Sequence, residues 1–228
     1  LPFHNAEGTL AHALESCFAQ TFGDFELIAV DDYSSDSSAE VAKCFANDSR
    51  FRLLENEERP GLVLTLETAC DAARGKLLAR MDADDVSYPE RLEEQLAFLD
   101  QNPDVGAVGC QIRIVGNADE SNGPPREGFQ RYQEWINSLV EPDQIARERF
   151  IESPLVHPTV VMRRETFEQA GGYRDCEWAE DYDLWLRMLE RGRRLAKVPR
   201  VLFDWCDRAD RLTRVQRRYS ENLFLKAK

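Results

Sequence analysis

The sequence predicts an α/β fold, a doubly wound and mostly parallel sheet flanked by helices. Three observations carry this. Strand-like and helix-like stretches alternate along the first half of the chain. Acidic clusters follow two apolar strands, at the strand ends where open parallel sheets bind ligands. At 228 residues, 43% of them hydrophobic, the chain suffices for one large domain with a real core.

The elements follow in order. The chain opens at Leu1-Pro2, and Leu10 to Phe18 reads as a helix. A strand is expected before that helix, so the chain is expected to begin late in its first strand. Phe25 to Val30 (FELIAV) reads as a buried strand. Ser37 to Ala46 reads as a helix, with Ser37 and Glu40 spaced as a capping box. Phe51 to Leu54 is a short strand, and Leu62 to Ala73 a helix stopping at Gly75. Leu77 to Met81 is the next strand. Ser87 to Leu99 is a helix with a second capping box, Ser87 and Glu90, and with Leu92, Leu96 and Leu99 on one face. Val105 to Val108 begins a further strand, and Gly116 to Gly128 reads as a loop. Then come a helix (Tyr132 to Leu139), a strand (Thr159 to Arg163), a helix (Glu165 to Ala170) ending at Gly171-Gly172, and a helix (Glu180 to Arg191).

Charge narrows the function. The chain has 29 Lys and Arg against 42 Asp and Glu, a net charge of −13. Residues 1–125 hold 9 basic and 24 acidic groups, and residues 126–228 hold 20 and 18. An acidic first half lacks the basic footprint of nucleic-acid binding. An anionic substrate there needs a metal or local arginines. The longest stretch without charged residues, Ser153 to Met162, is far below the ~20 residues of a membrane span. The 6 cysteines form no C-x-x-C pair and read as reduced, which favours a cytoplasmic location.

The most informative stretch is RMDADDVS. Asp82, Asp84 and Asp85 fall within four residues directly behind an apolar strand. Like charges this close repel unless a cation or donors sit among them. Mg²⁺ and Mn²⁺ prefer oxygen ligands and are often held by one or two carboxylates plus substrate phosphates. The competing reading is a run of helix-capping aspartates before Ser87. Asp31-Asp32 follows the Leu27–Val30 run; were the two strands neighbours, both clusters would face one crevice. A third cluster, Glu180-Asp181-Tyr182-Asp183, opens a helix, where acids are stabilised by the dipole. An acid flanked by aromatics there is also suited to general-base work.

The chain resembles the family 2 glycosyltransferases, which have the GT-A fold. The resemblance is carried in order by LPFHNAEGTL, IAVDDYSSDSS, ARGKLLARMDADDVSYPERLEEQLAFLDQNPDVGAVG, HPTVVMRRETFEQAGGYRD and AEDYDLWLRML. It implies a metal-dependent, inverting transferase with a nucleotide-diphosphate sugar donor, UDP-sugars first. The acceptor would be a carbohydrate or lipid-linked hydroxyl in polysaccharide or glycoconjugate synthesis. Pro2, His4, Asn5 and Glu7 would border the nucleotide pocket, and Asp31 and Asp32 the base and ribose. Arg80 and Asp82 would lie by the ribose or sugar. Asp84, with Asp82, would hold Mn²⁺ or Mg²⁺, and Asp181, beside Glu180, would be the base. Trp178 would stack on a sugar. Residues 1–115 would form the nucleotide-sugar half of one GT-A domain, 116–205 the acceptor and base half, and 206–228 a basic tail or lid. The sequence departs from relatives in carrying Glu67 where Asn is frequent, and in having no histidine in LFDWCDRADRLTR.

Other residues have two readings. His157 suits packing or the acceptor site, and Trp185 and Met188 suit the core. The stretch holding Arg208, Arg211, Arg214, Arg217 and Arg218 suits a solvated face, or a lid attracting diphosphate or an anionic membrane surface. A haloacid-dehalogenase-like phosphatase would place its Asp-x-Asp near the N-terminus and needs a late Gly-Asp motif; neither holds. A non-catalytic nucleotide-sugar-binding module remains the alternative to an enzyme.

Overall fold

A computed structural model describes residues 1–56, 60–116, 127–208 and 226. Among them two sheets form. The first has three parallel strands in the order β1 (Pro2–Phe3), β2 (Leu27–Asp31), β3 (Phe51–Glu55). Every residue of β2 is buried, as expected of a strand covered on both faces. The second sheet has five strands in the order β4 (Leu77–Ala79), β7 (Val161–Arg163), β6 (Val105–Gly116), β8 (Arg194–Asp207), β5 (Val86–Ser87). Here β6 and β8 run parallel, while β4–β7, β6–β7 and β5–β8 are antiparallel. Parallel pairing thus belongs to the first half of the α/β fold, and the second half is mixed.

The helices are α1 (Leu10–Phe18), α2 (Ser38–Lys43), α3 (Leu62–Ala72), α4 (Arg91–Gln101), α5 (Glu127–Ser138), α6 (Pro142–Glu148), α7 (Arg164–Ala170) and α8 (Glu180–Glu190). They cover the sheets: α3 packs on β2, α4 and α5 on β6, and α8 on β8. Leu184, Trp185 and Met188 of α8 are fully buried, so its apolar stripe is core. Gly171 closes α7 at φ 83°, the left-handed region that glycine enters without steric cost. Among the described residues no helix is long and apolar enough to cross a membrane.

Several local expectations are corrected. Neither capping box forms. Ser87 lies in β5; its N–H donates to Ser16 Oγ and its Oγ accepts from Gln20 Nε2. These distant partners take the groups a cap would have used, and α4 starts at Arg91. At α2 the capping passes to Asp36, whose Oδ1 accepts from the N–H and hydroxyl of Ser38. Ser37 N–H goes instead to Glu7 Oε2. The strand expected from Thr159 begins at Val161, because His157–Thr159 close a 3-10 turn. Of the loop 116–128, residues 117–126 lie outside the described residues, as do Arg211, Arg214, Arg217 and Arg218.

β2 and β4 are not hydrogen-bonded neighbours, since the two strands belong to separate sheets. They face each other across a cavity of about 590 Å³, with Leu27 and Ile28 on one side, Leu77 and Leu78 on the other, and Cys70 of α3 among its walls. The backbone nitrogen of Leu1 donates to Ile28 O at 2.8 Å. The cavity walls also carry charged groups, among them Glu26, Lys76 and Arg80, and Arg80 is ion-paired to Asp82.

Candidate active site

The turn after β4 is built by alternation. Met81, Ala83 and Asp85 are buried, whereas Asp82 and Asp84 are half-buried, the two-residue period of extended backbone. Two apolar anchors thus hold the segment down while Asp82 and Asp84 stay reachable. One carboxylate oxygen from each of Asp82, Asp84 and Asp85 lies within 4.8 Å of the others. Three hard oxygen donors this close fit a divalent cation such as Mn²⁺ or Mg²⁺. Asp85, not expected among the ligands, also accepts the Cys206 N–H on Oδ1 at 2.7 Å, which pins the turn to the end of β8. Arg80 is buried and ion-paired to Asp82. Arg91 Nη1 donates to Arg80 O at 3.2 Å and Pro158 O at 2.8 Å, tying α4 to both strand ends.

The residues expected around the nucleotide are brought together at the ends of β1 and β2. Asp31 Oδ1 accepts the Ser34 N–H at 2.9 Å. Asp32 Oδ1 accepts from Asn56 Nδ2 at 3.0 Å and from the Gly61 N–H at 2.9 Å, which ties the end of β3 and the start of α3 to it. His4 Nδ1 donates to Asp32 O at 2.7 Å, and Asn5 Oδ1 accepts the Ser35 N–H at 2.8 Å. Glu7 accepts the Ser37 N–H at 3.0 Å. Pro2 is buried in β1 opposite Val30. Residues 4–7 are therefore laced to residues 31–37. Nothing in the spacing of the chain marks Asn56 and Gly61 as partners of Asp32.

The acids of α8 divide by environment. Asp183 is taken by Arg187, whose Nε donates to Oδ2 at 2.7 Å, an i,i+4 pair. Glu180 is only 2% exposed. Asp181 is half-buried. Burial first, and then the charge of Glu180, push its carboxyl up to about 7, against the opposing pull of Arg80. Trp178, just before the helix, is half-buried, and its Nε1 has no hydrogen-bond partner among the described residues. Behind the pair, His157 Nε2 meets Tyr173 Oη at 2.8 Å, and His157 Nδ1 lies 3.8 Å from Glu180 Oε1. The sequence singled out His157 but not Tyr173, nor their meeting.

The sequence profile described as glycosyl transferase family 2 matches residues 1–171. The chain belongs to glycosyltransferase family 2. It is similar to EpsE of Bacillus subtilis, 32% identical over 222 residues, covering 95% of this chain and 75% of EpsE. It is also similar to the amylovoran biosynthesis glycosyltransferase AmsE of Erwinia amylovora, 32% identical over 194 residues, 85% of this chain and 68% of AmsE. Among solved structures, the mannosyltransferase PcManGT of Pyrobaculum calidifontis, in complex with GDP-Man and Mn²⁺, superposes with a TM-score of 0.72 at 20% identity. That match covers 92% of this chain, which spans 56% of PcManGT. The fold is the GT-A fold, and this family 2 member is a glycosyltransferase.

Proposed function

We propose that the chain catalyses inverting transfer of a sugar from a nucleotide-diphosphate donor to an acceptor hydroxyl. The observation that carries this is Asp181. It is a half-buried carboxylate raised to about 7 at the start of α8, with Glu180 buried behind it and Asp183 paired to Arg187. One free base suits one in-line displacement. The acceptor oxygen forms a bond to the anomeric carbon, its proton passes to Asp181, and the bond to the diphosphate oxygen breaks with its electron pair leaving on the nucleotide. A double displacement needs a second nucleophile on the opposite sugar face, and no further acid of the site is assigned to that face.

Asp84 and Asp82, supported by Asp85, would hold Mn²⁺ or Mg²⁺, which when bound offsets the charge of the departing diphosphate. The loops laced by His4, Asn5, Glu7, Asp31 and Asp32 form the nucleotide side, Arg80 lies between the metal cluster and the base, and Trp178 is offered to the acceptor sugar. On this reading residues 1–115 serve the donor, 116–205 the acceptor, and 206–228 act as a basic lid or a contact to an anionic membrane. AmsE's role in amylovoran synthesis and the GDP-Man and Mn²⁺ bound by PcManGT support a polysaccharide product, a nucleotide-sugar donor and a divalent ion.

The test is a thermal-shift screen of UDP- and GDP-sugars with and without Mn²⁺, followed by nucleotide release and NMR of the new linkage. Stabilisation follows RT ln(1 + [L]/Kd), about 2.7 kcal/mol at ~100-fold saturation. An α-linked donor giving a β-linked product is expected; retention of the α configuration would refute the mechanism.

A further inference from the structure

We propose that His157 is a positioning residue for the acidic pair at the start of α8: it holds Glu180 in place, so that Asp181 keeps the role of base. This rests on the reading of Asp181 given above.

Three contacts fix the imidazole, which is 8% exposed in the turn before β7. Tyr173 Oη lies 2.8 Å from Nε2. Trp185 meets the ring edge-on, centroids 5.9 Å apart and planes at 79°. Glu180 Oε1 lies 3.8 Å from Nδ1.

The tautomer follows from the surroundings. Burial, and secondarily Arg80, hold His157 well below the ordinary imidazole range, so the ring is neutral. Burial drives the Tyr173 hydroxyl well above its ordinary range, so it keeps its proton and donates it to Nε2. The ring proton then sits on Nδ1 and faces Glu180. At 3.8 Å this is a dipole directed at a carboxylate, longer than a hydrogen bond.

A histidine used only for packing has no need to present a defined N–H to a buried acid. Here the N–H favours the charged form of Glu180. Glu180 in turn is the neighbouring charge that raises Asp181. Arg80 from the end of β4 and Cys176 from the segment before α8 are also coupled to the pair. Tyr173 thus orients His157, His157 steadies Glu180, and Glu180 tunes Asp181.

The test follows the carboxyl carbons of Asp181 and Glu180 by ¹³C NMR against pH in the full chain, a readout that needs no donor. In His157→Phe, with folding checked by circular dichroism, Glu180 becomes a weaker neighbouring charge. The Asp181 midpoint should fall by about one pH unit. His157→Asn keeps a short N–H donor near Nδ1 and should stay close to wild type. Tyr173→Phe removes one hydroxyl and should give a smaller shift in the same direction; it decides the matter if His157→Phe does not fold. In Mn²⁺-dependent hydrolysis of UDP-glucose or GDP-mannose, His157→Phe should lose roughly tenfold in kcat with donor KM unchanged. An unmoved Asp181 midpoint in folded His157→Phe, or in Tyr173→Phe where the former is unfolded, overturns the proposal. Activity persisting in Asp181→Asn overturns the base assignment instead. An inactive Asp181→Asn beside an unmoved midpoint sinks the His157 proposal alone.

Discussion

The chain has two acidic clusters of nearly the same composition, Asp82-Ala83-Asp84-Asp85 and Glu180-Asp181-Tyr182-Asp183, and the fold sends them to different work. The first lies on extended backbone and a turn, where alternation leaves Asp82 and Asp84 half-buried and gathers three carboxylate oxygens within 4.8 Å. The second begins a helix, where successive side chains fan around the axis by 100° and do not converge. There Asp183 turns to Arg187, Glu180 is buried beside His157, and Asp181 keeps partial access. Converging oxygens suit a cation, and one desolvated carboxyl suits a base, which are the roles proposed above. Residue type alone decides neither.

The comparison breaks most sharply at Asp181. Asp181→Asn nearly preserves volume but cannot take a proton, so turnover should fall by ~10² to 10⁴ while donor affinity stays put. In the wild type, kcat/KM should fall as pH drops below about 7, because the base is then protonated. A flat profile between pH 6 and 8 would falsify the assignment.

Asp84→Asn tests the other cluster. Calorimetric titration of UDP in Mn²⁺, Mg²⁺ and EDTA should show tighter binding with metal in the wild type only. The loss should be at least the roughly 10–100-fold that even an outer-shell partner of a metal is worth. Equal affinity in all three buffers would remove the metal from the first cluster.

Asp31→Ala should weaken nucleotide binding by about tenfold, the worth of one charge-assisted hydrogen bond, without abolishing metal dependence. Asp31 is buried at the end of β2, outside the three-carboxylate group. Unchanged UDP affinity in a folded variant would place the nucleotide elsewhere.

The smallest effect is on stability. A carboxyl raised from 3.8 to about 7 binds more protons folded than unfolded, so its contribution weakens as pH rises through that window. Asp181→Asn removes this cost. It should raise the melting temperature at pH 8 by a few degrees, roughly the shift of ~1 kcal/mol in a domain of this size, and leave it unchanged near pH 4. A variant no more stable at pH 8 than at pH 4, each relative to wild type, would mean that Asp181 is not desolvated.

The sequence by itself determined the alternation of elements, the bounds of the helix from Leu10 to Phe18, the start of the helix at Glu180 and the turn after the Leu77 strand. These are set by periodicity and by groups within a few residues of one another, so they are readable along the chain. It also carried the family, through the order of five stretches. Only the tertiary structure decided the rest. Ser87 and Glu90 have the spacing of a cap, yet Ser16 and Gln20, about seventy residues earlier, hold Ser87 in a strand. Asp85 is anchored by Cys206 across 121 positions. Asp32 is held by Asn56 and Gly61, and Glu180 is faced by His157. A polar group has a fixed capacity for hydrogen bonds, and local and distant partners compete for it. The competition is settled only when burial removes water as the third competitor, and that depends on how the whole chain packs.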